Sequence, residues 1–253
     1  MKQVTFENIY TPAQIVLEND LYKHFHFPEM LLRYDSNFID FKKMPSIEEF
    51  MSAASYLREY HVKNGQKHVK FTFPENEKLH APLEEYLRSE EYSIGYLELY
   101  SINPSQFPEL DEKEDIEVKV VSDDNFEEFL ALQYKQDLQF GSEFADQKVR
   151  LYKRYLQDSK IVQLLAYYKG VPAGTVNVIV EAETVEIDDL AVSEAYQKRG
   201  IGSRLQKAVM NIDPTKLVIL VADGEDTPRE MYQRQNYQYH GFKYNTQKVY
   251  EDK

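Results

Sequence analysis

The chain has no cysteine among its 253 residues. Disulfides, thiolate metal sites and a cysteine nucleophile are therefore excluded, and a reducing compartment fits. It has no tryptophan, and no apolar run long enough to cross a bilayer. The opening MKQVTFENIYTP lacks an apolar signal core, so the sequence predicts a cytoplasmic protein that starts at Met1. Positive charge is also in short supply. The formal net charge is -13, which argues against nucleic-acid binding, because phosphate neutralisation needs clustered Lys and Arg. What is present suffices for real cores: 42% hydrophobic residues, with 14 Phe and 20 Tyr. The length suits one large or two modest domains.

The most informative stretch is Thr184 to Met210, TVEIDDLAVSEAYQKRGIGSRLQKAVM. Val185 and Ile187 alternate with Glu186 and Asp188, the period of a strand. At Asp188-Asp189 the alternation slips by one, and Leu190 and Val192 continue it in the opposite parity. A β-bulge there keeps the apolar set on one face. Ile201, Leu205 and Val209 then recur at helical spacing, so a helix begins near Gly200. Two glycines at a helix start let a ligand approach bare backbone. The free N–H groups and the positive end of the helix dipole favour an anion, and Gln197, Lys198 and Arg199 stand beside it. A Rossmann fingerprint wants a third Gly or Ala where Leu205 stands, and a P-loop wants Gly-Lys-Ser/Thr, which is absent.

Glu186 through Gly202 resembles the acetyl-coenzyme A motif of the GNAT superfamily, the general N-acetyltransferases. The family signature Gln/Arg-x-x-Gly-x-Gly/Ala stands here as Gln197-Lys198-Arg199-Gly200-Ile201-Gly202. The resemblance covers about the last 140 residues. It implies an α+β fold whose mixed, mostly antiparallel sheet is flanked by helices. It also implies direct acetyl transfer from acetyl-CoA to an amine, with no metal. Backbone groups of Leu190, Ala191 and Val192 would meet the acetyl carbonyl and pantetheine arm. Gln197, Lys198, Arg199, Gly200, Ile201, Gly202 and Ser203 would hold the diphosphate. Glu186, on the polar face of the strand, is the candidate base, with Asp188 as fallback. Tyr232, four residues before Asn236-Tyr237, is the candidate acid. The family usually has Gly-Phe or Gly-Tyr at that pair, and Asn tolerates the same backbone. The acceptor amine, on a small molecule or on a protein or peptide, stays open, as does a homodimer. A non-catalytic acetyl-CoA sensor and a structural dimerisation module are the alternatives.

The rest of the chain divides at Asn103 to Asp115, a linker candidate with two prolines and a charge run. Residues 1–113 form an N-terminal α/β domain and 114–253 the acetyltransferase domain. In the first, Glu18 to Tyr34 reads as mainly helical or mixed, and Leu32 to Phe41 as an irregular strand. His24 and His26 flank Phe25 and read as core or surface histidines, since no third metal ligand has a convincing spacing. Ser46-Ile47-Glu48-Glu49 is a capping box that opens a helix to about Val62. Strand 68–73, helix 79–89 and strand 92–102 follow. The order helix, strand, helix, strand matches that after the glycine motif, and LEEYLRSEEYSIGY rhymes with REMYQRQNYQYHGF. The first domain thus reads as a degenerate half of the same fold, with no glycine motif of its own.

In the second domain, strand 116–121 leads into a helix opened by Ser122-Asp123-Asp124, and residues 137–158 continue helical. Asp137, Gln139 and Glu143 could meet an amine or form a solvated face. A hairpin turns around Lys169-Gly170-Val171-Pro172, and LVILVA at 217–222 is a buried strand. Thr227-Pro228-Arg229-Glu230 starts another helix, and Gly241 marks a turn or bulge near the end.

Overall fold

The computed structural model describes residues 4–111, 113–225 and 228–251. The first half contains β1 (Gln14–Glu18), β2 (Tyr22–His26), β3 (Phe38–Phe41), α1 (Ile47–Lys63), β4 (His68–Thr72), α2 (Ala81–Ser89) and β5 (Ser93–Ile102). The second contains β6 (Ile116–Val120), α3 (Phe126–Asp137), α4 (Ser142–Gln157), β7 (Ile161–Tyr168), β8 (Val171–Val180) and β9 (Thr184–Val192). It ends with α5 (Ile201–Met210), β10 (Leu217–Asp223), α6 (Pro228–Arg234) and β11 (Gln238–Val249). All strands join one 11-stranded sheet in the order β1-β2-β3-β4-β11-β5-β10-β9-β8-β7-β6. Among the described residues, only β3–β4 and β9–β10 are parallel pairs. The expected mixed, mostly antiparallel sheet flanked by helices is what the chain forms. Among the described residues, no helix is long and apolar enough to cross a membrane.

The sheet order contains a repeat. β1 to β4 pair antiparallel, antiparallel and parallel in turn, as β7 to β10 do. α1 and α5 each bridge the parallel pair, and α2 and α6 each lead to the last strand of their half. Those last strands are exchanged. β5 pairs with β10 of the other half, β11 pairs with β4, and the two meet at the centre of the sheet. β6, α3 and α4 have no counterpart in the first half.

Local sequence explains most of these elements. Ser46 accepts from the Glu49 amide at 3.2 Å, and Glu49 accepts from the Ser46 amide at 2.9 Å, so the capping box of α1 forms. Lys169 and Gly170 both have positive φ, the backbone of a tight primed turn joining β7 to β8. Asn236 takes φ 66° after α6, the left-handed residue expected there. Gly241 sits at a register shift of β11 against β5, so the end of the chain is one bulged strand. Thr227, the expected cap of α6, lies outside the described residues.

Four details differ from the sequence reading. Of the irregular strand expected over Leu32 to Phe41, only Phe38–Phe41 is extended into β3, and Tyr34–Ser36 forms a single 3-10 turn before it. Residues 22–26, read within a helical or mixed segment, form a strand. Its inward side chains are Tyr22, His24 and His26, so buried histidines hide the usual apolar alternation. Asn125, not Ser122, precedes the first turn of α3. The helix expected over 137–158 breaks at Gly141, whose φ of 101° no helix continues, and α4 starts after it.

One face of the β7–β10 region packs Val176, Val178, Val185 and Ile187 against Ile201, Leu205 and Val209 of α5. The other packs Leu165 and Ile179 against Phe129, Leu151, Tyr152 and Tyr155 of α3 and α4. A separate core under α1 and α2 is built on Phe41, Phe50, Phe71 and Phe73.

Candidate active site

The expected bulge is present in β9. Thr175 pairs with Ala191 and Asn177 with Asp188, so β9 carries one extra residue between them. Asp189 absorbs it with φ 53°. As the parity slip requires, Leu190 and Val192 join Val185 and Ile187 on the α5 face. Pairing of β9 with β10 stops at Ile187–Leu220, while β9 runs on to Val192 and β10 to Asp223. The two parallel strands therefore part at the bulge. Among the described residues, 188–192 pair with no strand on their β10 side, and an extended ligand could hydrogen-bond there.

At the α5 end of this opening, Gly200 is the N-cap, in left-handed conformation with φ 91°. No side chain caps the helix, so its first amides are left for a ligand. A Cβ at Gly202 would meet Val192 and Leu190 at 3.8 and 3.9 Å, which places this turn against the bulged strand. Gln197, Lys198 and Arg199 are exposed beside it. Gln197 Nε2 donates to the Val192 carbonyl at 3.3 Å. The segment read as a linker contributes as well. Lys113 Nζ donates to the Arg199 carbonyl at 2.8 Å, and the Arg204 guanidinium reaches the Asp111 carbonyl. A cavity of about 590 Å³ opens here, lined by Lys113, Tyr168 and Arg199 together with the acidic Glu114 and Asp115. Backbone donors, cations and an aromatic ring suit a nucleotide diphosphate.

The opposite face of β9 carries the titratable groups. Glu186 is buried, and its Oε2 accepts the Tyr10 backbone N–H at 2.7 Å. Burial pushes its carboxyl up to about 8 and Asp188 adds to the push, while the Tyr10 amide and Arg33 oppose it. Asp188, two residues on, faces Arg33 of the first half, with Nη2 at 3.9 Å from Oδ2. Arg33 Nη1 also donates to Tyr155 Oη at 3.2 Å. Burial raises the Asp188 pKa, Arg33 opposes it, and Asp189 adds to it.

A second network holds the bulge. Lys148 donates to Asp189 at 2.7 Å, and Tyr152 Oη stands 3.3 Å from the same carboxylate and 3.1 Å from Asp137. Gln133 donates to Tyr152, and Thr175 to Gln133. Lys148, Tyr152 and Tyr155 follow at helical spacing on α4, so one helix face addresses the bulge. Asp137 thus belongs to this network, its carboxyl pushed up to about 6 mainly by burial. Gln139 and Glu143 face solvent.

Tyr232 lies on the other side of the sheet, against the α5 core, its ring 5.0 Å from Tyr100 and 5.3 Å from Tyr237. Burial pushes its phenol up to about 12, so it keeps its proton at neutral pH. Tyr100 comes from β5, so the first half also supplies part of this wall. Tyr10, Arg33, Lys113 and Lys148 escaped sequence reading, because each reaches the site from a segment distant in sequence. The His24–His26 pair lies in the first half with His61 and His68, all buried. Among the described residues, no group of three His, Cys, Asp or Glu side chains is placed to hold a metal.

This geometry agrees with what the chain resembles. Residues 123–237 match the Acetyltransferase (GNAT) family, and residues 4–100 match a Domain of unknown function (DUF5613). The second half of the chain belongs to the GNAT family. A crystal structure of a functionally unknown conserved protein from Staphylococcus epidermidis is 35% identical, covers 98% of both chains and superposes with a TM-score of 0.90. A GCN5-related N-acetyltransferase from Kribbella flavida shares the fold, with 12% identity, a TM-score of 0.60, and coverage of 93% of this chain and 89% of that one. A tandem GNAT protein from the clavulanic acid biosynthesis pathway has 10% identity, a TM-score of 0.50, and coverage of 85% and 76%. No curated protein sequence matches.

Proposed function

We propose that this protein transfers an acetyl group from acetyl-CoA directly to an amine. The observation that carries the proposal is the parting of β9 and β10 at the bulge, with the Gly200 helix start at one side and Glu186 on the strand. Acetyl-CoA supplies an activated thioester. The α5 amides with Gln197, Lys198, Arg199, Gly200, Ile201, Gly202 and Ser203 hold the diphosphate. Leu190, Ala191 and Val192 offer the backbone edge for the pantetheine arm and the carbonyl. Glu186 takes a proton from the acceptor ammonium, and a carboxyl near 8 suits that task close to neutral pH. Tyr232 holds a proton for the departing thiolate. In-line positioning by the two strand edges supplies the rest of the rate.

We keep the division near residues 113 and 114, and read the first half as a degenerate copy of the second. The shared order and direction of β1–β5 and β7–β11 support this. The protein is assigned to the cytoplasm, where acetyl-CoA is available.

The test is thermal unfolding with acetyl-CoA, CoA and NAD. A ligand that binds only the folded state raises the melting temperature by mass action. Stabilisation by the first two alone is expected, and Gly202→Glu should abolish it by placing bulk and negative charge in the cradle. Thiol release with an amine panel then tests transfer. No stabilisation at millimolar ligand would overturn the proposal.

A further inference from the structure

Arg33 belongs to the first half, yet its guanidinium lies at the face of β9 that carries Glu186 and Asp188. It is largely buried, at 21% side-chain exposure, and uses few of its donors. Among the described residues its one side-chain hydrogen bond goes to Tyr155 Oη, at 3.2 Å. Its ion partner Asp188 stands at 3.9 Å, beyond hydrogen-bond length, with 26% of its side chain exposed. Among the described residues, the Asp188 carboxylate accepts no hydrogen bond. A guanidinium and a carboxylate with spare capacity therefore stand side by side next to Glu186.

Such a pair is unsatisfying as a structural bridge. A stabilising Arg–carboxylate pair in a partly buried site closes to bidentate contact. This one is open, and it matches a ligand that carries both charges on adjacent atoms. An α-amino acid presents its ammonium and carboxylate on one carbon. Paired head to tail, its ammonium meets Asp188 and its carboxylate meets the fork of Arg33. Glu186, two residues back on the same strand face, then takes the proton from the nitrogen.

The surroundings limit size. The Tyr10 amide caps Glu186, and the segment around it is pinned by the Phe6 amide on Glu75 and by Val4 against Leu99 and Ile219. A small acceptor fits beneath this cover better than a folded protein does. An opening of about 400 Å³ lies between residues 27–31 and α4, just before Arg33 in the chain.

We infer that the acceptor is a free α-amino acid and that Arg33 selects it by its carboxylate. The inference rests on the acetyltransferase reading above. The experiment measures acetyl-CoA-dependent thiol release by the full chain with amino acids, their α-carboxamides and their decarboxylated amines. For at least one amino acid, kcat/KM should exceed that of its carboxamide by ~100-fold, as expected when a site's charged group is left unpaired. Arg33→Gln should reduce that ratio at least about tenfold, mainly through KM, and Arg33→Lys should restore part of it. Thermal stabilisation by acetyl-CoA reports folding and cofactor binding in each variant. If carboxamides or simple amines react as well as amino acids, or if the ratio survives Arg33→Gln, the inference fails. Wild type that binds acetyl-CoA but acetylates no amino acid sinks this inference and leaves cofactor binding standing. Wild type that does not bind acetyl-CoA sinks both.

Discussion

The backbone amide of Tyr10 donates to Glu186 Oε2 at 2.7 Å, across 176 residues of chain. Among the described residues it is the one hydrogen bond that holds the buried carboxyl, and it fixes which way the candidate base points. A segment near the start of the chain therefore helps to build a site that the second half otherwise forms.

Glu186 leads to a prediction with two signs. Its folded pKa of about 8 lies above the ordinary 4.5, so the native state keeps a proton that the unfolded chain has lost. The contribution of Glu186 to stability is then full below pH 4.5 and falls as pH rises towards 8, by about 1.4 kcal/mol per unit at most. Transfer rate should rise over the upper part of that range as the base ionises. Glu186→Gln should lose the rising limb and about 10²–10⁴ in kcat. It should also melt at a higher temperature than wild type at pH 8.5. Scanning calorimetry and a pH–rate profile check both, and a variant that keeps the limb removes Glu186 from the base role.

The buried histidines of the first half make the opposite prediction. Burial lowers His24 and His68 to about 3 and His61 to about 4. Their Nε2, Nδ1 and Nε2 atoms, respectively, have no partner. These groups are neutral when folded and take up protons when unfolded. Their contribution is intact above pH 6.5 and is lost as pH falls from there towards 4, by about 1.4 kcal/mol per unit for each. Urea unfolding between pH 7 and 5 should show this steep loss. His24→Phe should flatten the slope by about one proton, and an unchanged slope would count against it.

The parity slip at Asp188-Asp189 showed the bulge because one buried strand face forces register, and the capping box at Ser46 needed only local bonds. The sequence carried no comparable signal for Arg33, Tyr10 or Lys148. Each meets the bulge through tertiary contacts that leave no period behind. The strand at Tyr22–His26 shows no apolar alternation, because histidines occupy its inward positions while Phe25 is only half buried. The exchange of β5 and β11 is a further case. Each reads as an ordinary strand, and nothing in its residues says which half it will pair with.

The bulge should depend on Lys148 and Asp189 together. Lys148 is buried with 9% of its side chain exposed, and Asp189 is its ion partner. Asp189→Asn keeps the left-handed backbone, which Asn tolerates, but removes the nearest counter-charge of Lys148 and leaves it only the fields of Asp137 and Asp188. Because Asp189 is 38% exposed, water screens part of the loss, and about 1–2 kcal/mol is expected rather than the cost of a fully buried pair. Lys148→Met in the Asp189→Asn background should recover most of it. A double-mutant cycle by urea unfolding measures the coupling, and additive losses would mean that the pair does not hold the bulge.

Lys113 offers a test of whether the connecting segment belongs to the cofactor site. Its Nζ lies 2.8 Å from the Arg199 carbonyl, and 3.2 Å from where a Cβ of Gly200 would stand. An ammonium there sits over the positive end of α5, where it gains nothing from the helix dipole. It gains a great deal if an anion lies between them. A diphosphate held by the α5 amides would draw Lys113 into a charge-assisted hydrogen bond. Lys113→Glu reverses the charge at the same place, and should raise the Kd for acetyl-CoA and CoA by about tenfold or more at low salt. The effect should shrink at high ionic strength. Acetyl-pantetheine, which has no diphosphate, should react equally well with both proteins. Titration calorimetry at two salt concentrations separates the outcomes, because a Lys113 that only pins the connecting segment would change the melting temperature and leave the Kd ratio alone.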